Sequence, residues 1–223
     1  IFGAVFESTL NPETRRHGGM HYTSVENIHK VIDPLFMDEL EGEFETIQTY
    51  KTLNVKRKKL MDFQEKLAHL KFLDPACGSG NFLTETYLSL RRLENKVLRV
   101  LYGEGQGVLG VAASDIIKVS IQQFYGIEIN DFAVTVAKTA LWIAESQMLD
   151  ETKNIIYGLD GDFLPLKTYV NITEGNALRI DWNDVISADE LNYIMGNPPF
   201  VGNSRLGDSQ RAERSKLFDD RSG

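Results

Sequence analysis

The sequence predicts an α/β fold, a parallel sheet preceded by a helical segment, and three observations predict it. Short apolar runs recur at 70–73, 124–129 and 191–196, the length and composition of buried strands. The first two are each followed, after a short turn, by a run with apolar residues at helical spacing. Glycine and proline punctuate the strand ends, at Asp74-Pro75 and at Gly196-Asn197-Pro198.

Length and composition fit that picture. A chain of 223 residues with 42% hydrophobic and 25% charged residues is an ordinary globular chain, long enough for one large α/β domain. The formal net charge of −8 argues against a freestanding nucleic-acid binder, although a separate basic region could still grip phosphates. Cys77 is the single cysteine, so no internal disulfide framework exists, and a reducing cytoplasm is expected. It reads as a small residue packed in a turn. No apolar run approaches the about 18 residues a membrane helix needs, so no membrane partner is expected. The first residue is Ile1 rather than methionine, and the chain is expected to be a segment of something longer.

Residues 1–69 form the expected helical segment. Thr23 and Glu26 fit a capping box. A helix with Val25, Ile28, Val31 and Ile32 on one face should follow, restarting after Pro34 with Leu35, Phe36 and Leu40. A helix or helical pair is expected over 41–69. Its cluster Lys56-Arg57-Lys58-Lys59 reads as a solvated face, because acidic residues flank it.

The core of the fold is expected over 70–205. The first strand runs into Asp74-Pro75-Ala76-Cys77-Gly78-Ser79-Gly80-Asn81-Phe82, a glycine turn that opens a helix carrying Phe82, Leu83, Tyr87, Leu88, Leu90 and Leu93. Such a turn brings backbone close to a ligand, and the free amides of the helix start suit a negative group such as an amino-acid carboxylate. A second glycine run, Gly105-Gln106-Gly107-Val108-Leu109-Gly110, is a literal G-x-G-x-x-G with Glu128 downstream, the pattern of a dinucleotide site. Its many glycines look more like a connection, and it competes with the richer turn for the same acid.

The second strand ends at Glu128-Ile129, where a carboxylate can accept from both hydroxyls of a ribose. Ala133, Val136, Ala137, Ala140, Leu141 and Ala144 then give a helix face small enough for close packing, with Trp142 filling space beside it. A short third strand at 170–172 leads to Gly175-Asn176-Ala177-Leu178, and a fourth delivers Asn197-Pro198-Pro199-Phe200. Residues 206–223 are polar with no apolar stripe, and a flexible tail is expected.

The turn at 74–82 resembles the S-adenosylmethionine (SAM) loop of amino-group DNA methyltransferases, and Asn197-Pro198-Pro199-Phe200 resembles their catalytic loop. The segments around 18–36 and 196–202 are similar to those of MmeI-like type II restriction–modification enzymes. The resemblance implies a Rossmann-like SAM-dependent methyltransferase sheet, truncated after about four strands, with the remaining strands and the recognition domain outside this sequence. It implies cofactor contacts from Tyr22, Thr23, Asp74, Ala76, Gly78, Gly80, Asn81, Phe82, Glu128, Ile129, Asn176 and Ala177. Here Tyr22-Thr23-Ser24 lacks the proline that ends the family's segment, and Asn176 stands where many members carry aspartate. No metal site is expected.

The chemistry of the second loop suits an amine. The exocyclic nitrogen of adenine is a poor nucleophile because its lone pair is delocalised into the ring. Accepting both of its hydrogens, by Asn197 Oδ1 and the Pro198 carbonyl, favours a pyramidal nitrogen with its lone pair free. The two prolines hold that carbonyl in place, and Phe200 offers a stacking face for an extruded base. A cytosine C5 enzyme would need a Pro-Cys nucleophile, which is absent. The target is therefore an exocyclic nitrogen, and the resemblance implies adenine N6 rather than cytosine N4, with double-stranded DNA as partner. Methylation of glutamine or of RNA, a nicotinamide-dependent oxidoreductase using residues 105–110, and an idle SAM-fold scaffold are the competing readings. An exposed edge on the fourth strand would allow self-association.

Overall fold

The computed structural model describes residues 23–103, 112–159, 170–199 and 207–217. The rival glycine run at 105–110, together with Tyr22 and Phe200, lies outside the described residues.

The chain begins with α1 (Val25–Ile32), a π-helical turn (Asp33–Met37) and α2 (Asp38–Gln48). Two expectations are corrected here. The cap of α1 is Ser24, whose hydroxyl accepts from Asn27 N at 3.4 Å, so Thr23 is not the capping residue. Nor does Pro34 stop the helix. The proline lacks an N–H, and the backbone passes it by widening one turn, with Asp38 N–H bonded to Asp33 O. Ile28, Ile32, Phe36 and Leu40 then line up at four-residue steps and are buried, whereas Val25, Val31 and Leu35 are exposed.

Next comes α3 (Leu53–His69), which turns Leu60, Phe63 and Leu67 inward. In its basic cluster Lys56 Nζ donates to Gln48 O at 2.9 Å, and Arg57, Lys58 and Lys59 are exposed. The strands are β1 (Phe72–Asp74), β2 (Phe124–Glu128), β3 (Asn171–Glu174) and β4 (Tyr193–Ile194). They form one parallel sheet in the order β3-β2-β1-β4. Between β1 and β2 lie α4 (Asn81–Tyr102), the short α5 (Ala113–Ile116) and a 3₁₀ turn (Ile121–Gln123), and α6 (Asp131–Ile155) follows β2.

Both faces of the sheet are covered, as a parallel sheet requires. On one face Phe72 stacks on Phe124, with centroids 5.2 Å apart, and Phe36 packs on Phe72 and Tyr193 at 5.1 and 4.9 Å. Phe82, Leu83, Tyr87, Leu90 and Leu93 of α4 and Ala137, Leu141, Ala144 and Met148 of α6 complete that core. On the other face Leu73 and Ile127 pack against Ile186, with Ile180, Trp182 and Leu191 alongside. Gly126 shows how close the layers come. A Cβ there would lie 2.7 Å from Ile172 Cδ1 and 2.8 Å from Cys77 Sγ. Cys77 is buried in this contact, and burial pushes its thiol well above its usual range, so it is a packing residue.

The polar tail departs from expectation. Asp208–Leu217 forms a helix, α7, where fraying was expected, and its described residues Asp208, Gln210, Arg211, Ala212 and Ser215 are exposed. Among the described residues no helix is long and apolar enough to cross a membrane, and no group of acids, histidines or cysteine is arranged to hold a metal.

Candidate active site

The strand order places a reversal between β1 and β4. From β1 the chain adds β2 and then β3 on one side, and β4 inserts on the other. Crevices that bind ligands in such sheets open at that reversal, beyond the carboxyl ends of the strands. The turn after β1 is the Asp74-to-Phe82 glycine turn, and the turn after β4 is Gly196-Asn197-Pro198-Pro199. The two motifs singled out in the sequence therefore share one cleft mouth.

In the glycine turn, Ala76 N donates to Asp74 Oδ1 at 3.0 Å, Cys77 N to Ile127 O at 3.1 Å and Gly80 N to Cys77 O at 2.8 Å. Gly78 and Gly80 have φ of 54° and 77°, left-handed values that favour glycine. Around Gly78 a Cβ would meet nothing within 4 Å, so the turn is open on that side. At Gly80 a Cβ would lie 3.0 Å from the Ala137 Cβ, so α6 backs the turn and needs a small residue there. Asn81 is half-buried at the start of α4, whereas Phe82 is buried in the main core.

Glu128 closes β2, 8% exposed. Its Oε2 accepts from Gly78 N and its Oε1 from Asn130 N, both at 2.9 Å. Each carboxylate oxygen has a second lone pair, so bracing the turn leaves capacity for a ligand's hydroxyls. Sequence reasoning missed this bracing role, because the bond joins residues 50 positions apart. Beside it, Ile129 in the turn that follows the acid and Phe132 in the first turn of α6 are 67% and 55% exposed. Gly175 N donates to Glu128 O at 2.8 Å, which brings the next turn alongside. There Asn176 Oδ1 accepts from Leu178 N at 2.9 Å, and Ala177 is half-buried against the second core.

Asp74 links the two motifs. Its carboxyl is 2% exposed and lies against Gly196, where a Cβ would fall 2.8 Å from Asp74 Cγ. Burial in low-dielectric surroundings raises its pKa from 3.8 to about 7; the Ala76 amide opposes the shift and the Glu128 charge adds to it. The folded state therefore holds a proton on Asp74 that the unfolded chain releases at about pH 4. Stability falls as pH rises from about 4 to about 7, by roughly 1.4 kcal/mol per unit at most. Asp74→Asn, which keeps an acceptor for Ala76, is expected to melt higher than the parent at pH 8 and to lose that advantage at pH 4. Thermal melts at the two pH values check it; an equal gap at both would refute the buried-carboxyl account.

Asn197 is exposed, and its Nδ2 donates to Thr23 Oγ1 at 3.3 Å. Pro198 and Pro199 are exposed beside it. The structure thus gathers Thr23, Asp74, Ala76, Gly78, Gly80, Glu128 and Asn197 around the ends of β1, β2 and β4. Asn176 sits one strand further out.

A glycine turn after the first strand, an acid after the second and an Asn-Pro-Pro turn after the neighbouring strand are the layout of a methyltransferase domain. The MmeI DNA-methyltransferase domain matches residues 50–223. The chain is 41% identical over 220 residues to DNA methyltransferase A of Bacillus subtilis (strain 168), a match covering 98% of this chain and 24% of that protein. It also superposes on a solved structure of the type IIL restriction-modification enzyme MmeI in complex with DNA, with a TM-score of 0.87 and 43% identity, covering 98% of this chain and 28% of that one. The chain belongs to the MmeI DNA-methyltransferase domain family. It spans about a quarter of the length of these relatives.

Proposed function

We propose that this chain is the cofactor-binding and catalytic core of a SAM-dependent methyltransferase acting on the exocyclic amine of a flipped-out DNA base, adenine N6, within a restriction–modification enzyme. The observation that carries the reading is the placement of the glycine turn and the Asn197 turn on adjacent strands, β1 and β4, at the reversal of the sheet. Amine-holding groups and a methyl donor must lie side by side, and this arrangement provides it.

The residues present fit SAM. The open side of Gly78 and the helix start at Asn81 suit its amino-acid end. Glu128 retains lone pairs for the ribose hydroxyls, and exposed Ile129 supplies apolar surface for the adenine ring. Asn176 and Ala177 would border that ring. When bound, SAM supplies a methyl group on a positively charged sulfur. Asn197 Oδ1 and the Pro198 carbonyl accept the two hydrogens of the target amine, and Pro199 stiffens the turn. Phe200 offers the stacking face. No charged base is needed, since the nitrogen sheds its proton after it becomes cationic.

Contacts to double-stranded DNA would come mostly from regions outside this segment, in keeping with its charge of −8. The edge of β4, with Ile194 53% exposed, is a strand-pairing surface through which copies of the isolated segment would associate. Against a nicotinamide enzyme, the strand-end acid Glu128 sits beside the Gly78 turn and braces it. Parallel calorimetric titrations of the complete protein should give binding with SAM and none with NAD. Labelled methyl should then appear as N6-methyladenine after digestion of a duplex substrate. NAD binding, or label in protein or RNA only, would overturn the reading.

A further inference from the structure

We propose that Thr23 is a positioning residue for Asn197, accepting from its Nδ2 and so turning Oδ1 toward the target amine. The inference rests on the methyltransferase reading above. A carboxamide has two ends of opposite character. Its oxygen draws an amine's hydrogens, and its NH₂ repels them. On an exposed side chain both orientations are accessible, and one of them faces the base with the wrong end. A fixed acceptor for the NH₂ removes that ambiguity, and Thr23 Oγ1, 3.3 Å from Asn197 Nδ2, is such an acceptor.

Thr23 is free for this task because the helix does not use it. The hydroxyl that caps α1 belongs to Ser24. The threonine is also held where it must be. Ile28, Ile32 and Phe36 bury one face of the helical run, and His29 Nε2 reaches Glu85 on α4 at 3.2 Å. Phe36 lies 4.9 Å from Tyr193, at the start of β4. From that shared contact the helix reaches back to Thr23 over roughly 18–20 Å, and the strand runs forward to Asn197 over roughly 13 Å. Both ends arrive at the carboxyl edge of the sheet, although they are 174 positions apart in the chain. This assigns Thr23 to the base side of the cleft, in place of the cofactor contact that the family resemblance implies.

The test uses the complete protein with duplex DNA at saturating SAM, under single-turnover conditions. Thr23→Val, which keeps the shape and removes the hydroxyl, should slow methyl transfer about three- to tenfold, the scale of one hydrogen bond. SAM affinity should stay within about twofold, and Thr23→Ser should regain most of the rate. In an Asn197→Ala background Thr23→Val should have no further effect, because nothing is left to orient. A weakened SAM affinity with an unchanged saturating rate would overturn the inference, as would losses that multiply in the double variant. If the unsubstituted protein transfers no methyl group, the methyltransferase reading falls, and this inference with it.

Discussion

Replacing Glu94 with alanine is expected to lower the unfolding free energy by about 3–5 kcal/mol, the scale for removing one partner of a buried ion pair. Glu94 and Arg91 are 0% and 1% exposed and form an ion pair one turn apart on α4. Glu94 Oε1 also accepts from Gln64 Nε2 and from Lys118 N, each at 2.7 Å. Arg91 Nη2 donates to Thr152 Oγ1 at 2.7 Å, and that hydroxyl lies 2.8 Å from Asn95 Oδ1. The carboxylate therefore joins α3, α4 and the segment before β2, and the guanidinium joins α4 to α6. Truncating Glu94 leaves a cation in low dielectric without its countercharge and takes the acceptor from three donors besides, Gln64 Nε2, Lys118 N and Val119 N. Denaturant unfolding followed by circular dichroism measures the loss. A change below about 1 kcal/mol would show that water reaches this network. Arg91→Met combined with Glu94→Leu should recover only part of the stability: it removes the uncompensated cation, but the donors that Glu94 satisfied stay unpaired.

Asn197→Ala is expected to reduce methyl transfer by the complete protein about 10²–10³-fold, the cost of losing one preorganised polar group at a reacting centre. Because Asn197 is exposed and its side chain meets Thr23 alone among the bonds described for it, stability should shift by less than about 0.5 kcal/mol. SAM affinity should be retained, since the cradle is built from the turns after β1 and β2. Asn197→Asp keeps an acceptor and should retain more of the rate than alanine does. Full activity in Asn197→Ala would remove the amine-holding role.

Much of the site was legible before any coordinates, for local reasons. Left-handed φ at Gly78 and Gly80 is a demand on single residues, and glycine announces it. An acid at the end of an apolar run, or asparagine before two prolines, is read the same way. The α1 cap was misplaced by one residue because Thr23 and Ser24 both carry hydroxyls and local spacing suits either. Pro34 misled for a different reason. Its cost is local, but the burial of Phe36 and Leu40 below it outweighs that cost, and a π-turn absorbs the mismatch. Arg91 and Glu94, spaced as a surface pair would be, gave no sign of being buried.

The sequence by itself determined the parts: three apolar strands and a short polar one, the turns that end them and the polar groups those turns present. Tertiary structure alone decided that β4 lies beside β1, that Asp74 supports Gly196, and that Thr23 meets Asn197. The reason is physical. Strands of a parallel sheet buried on both faces are near-uniform apolar runs, so their neighbours are chosen by packing of aromatic rings and covering helices over long sequence separations, not by any local pattern.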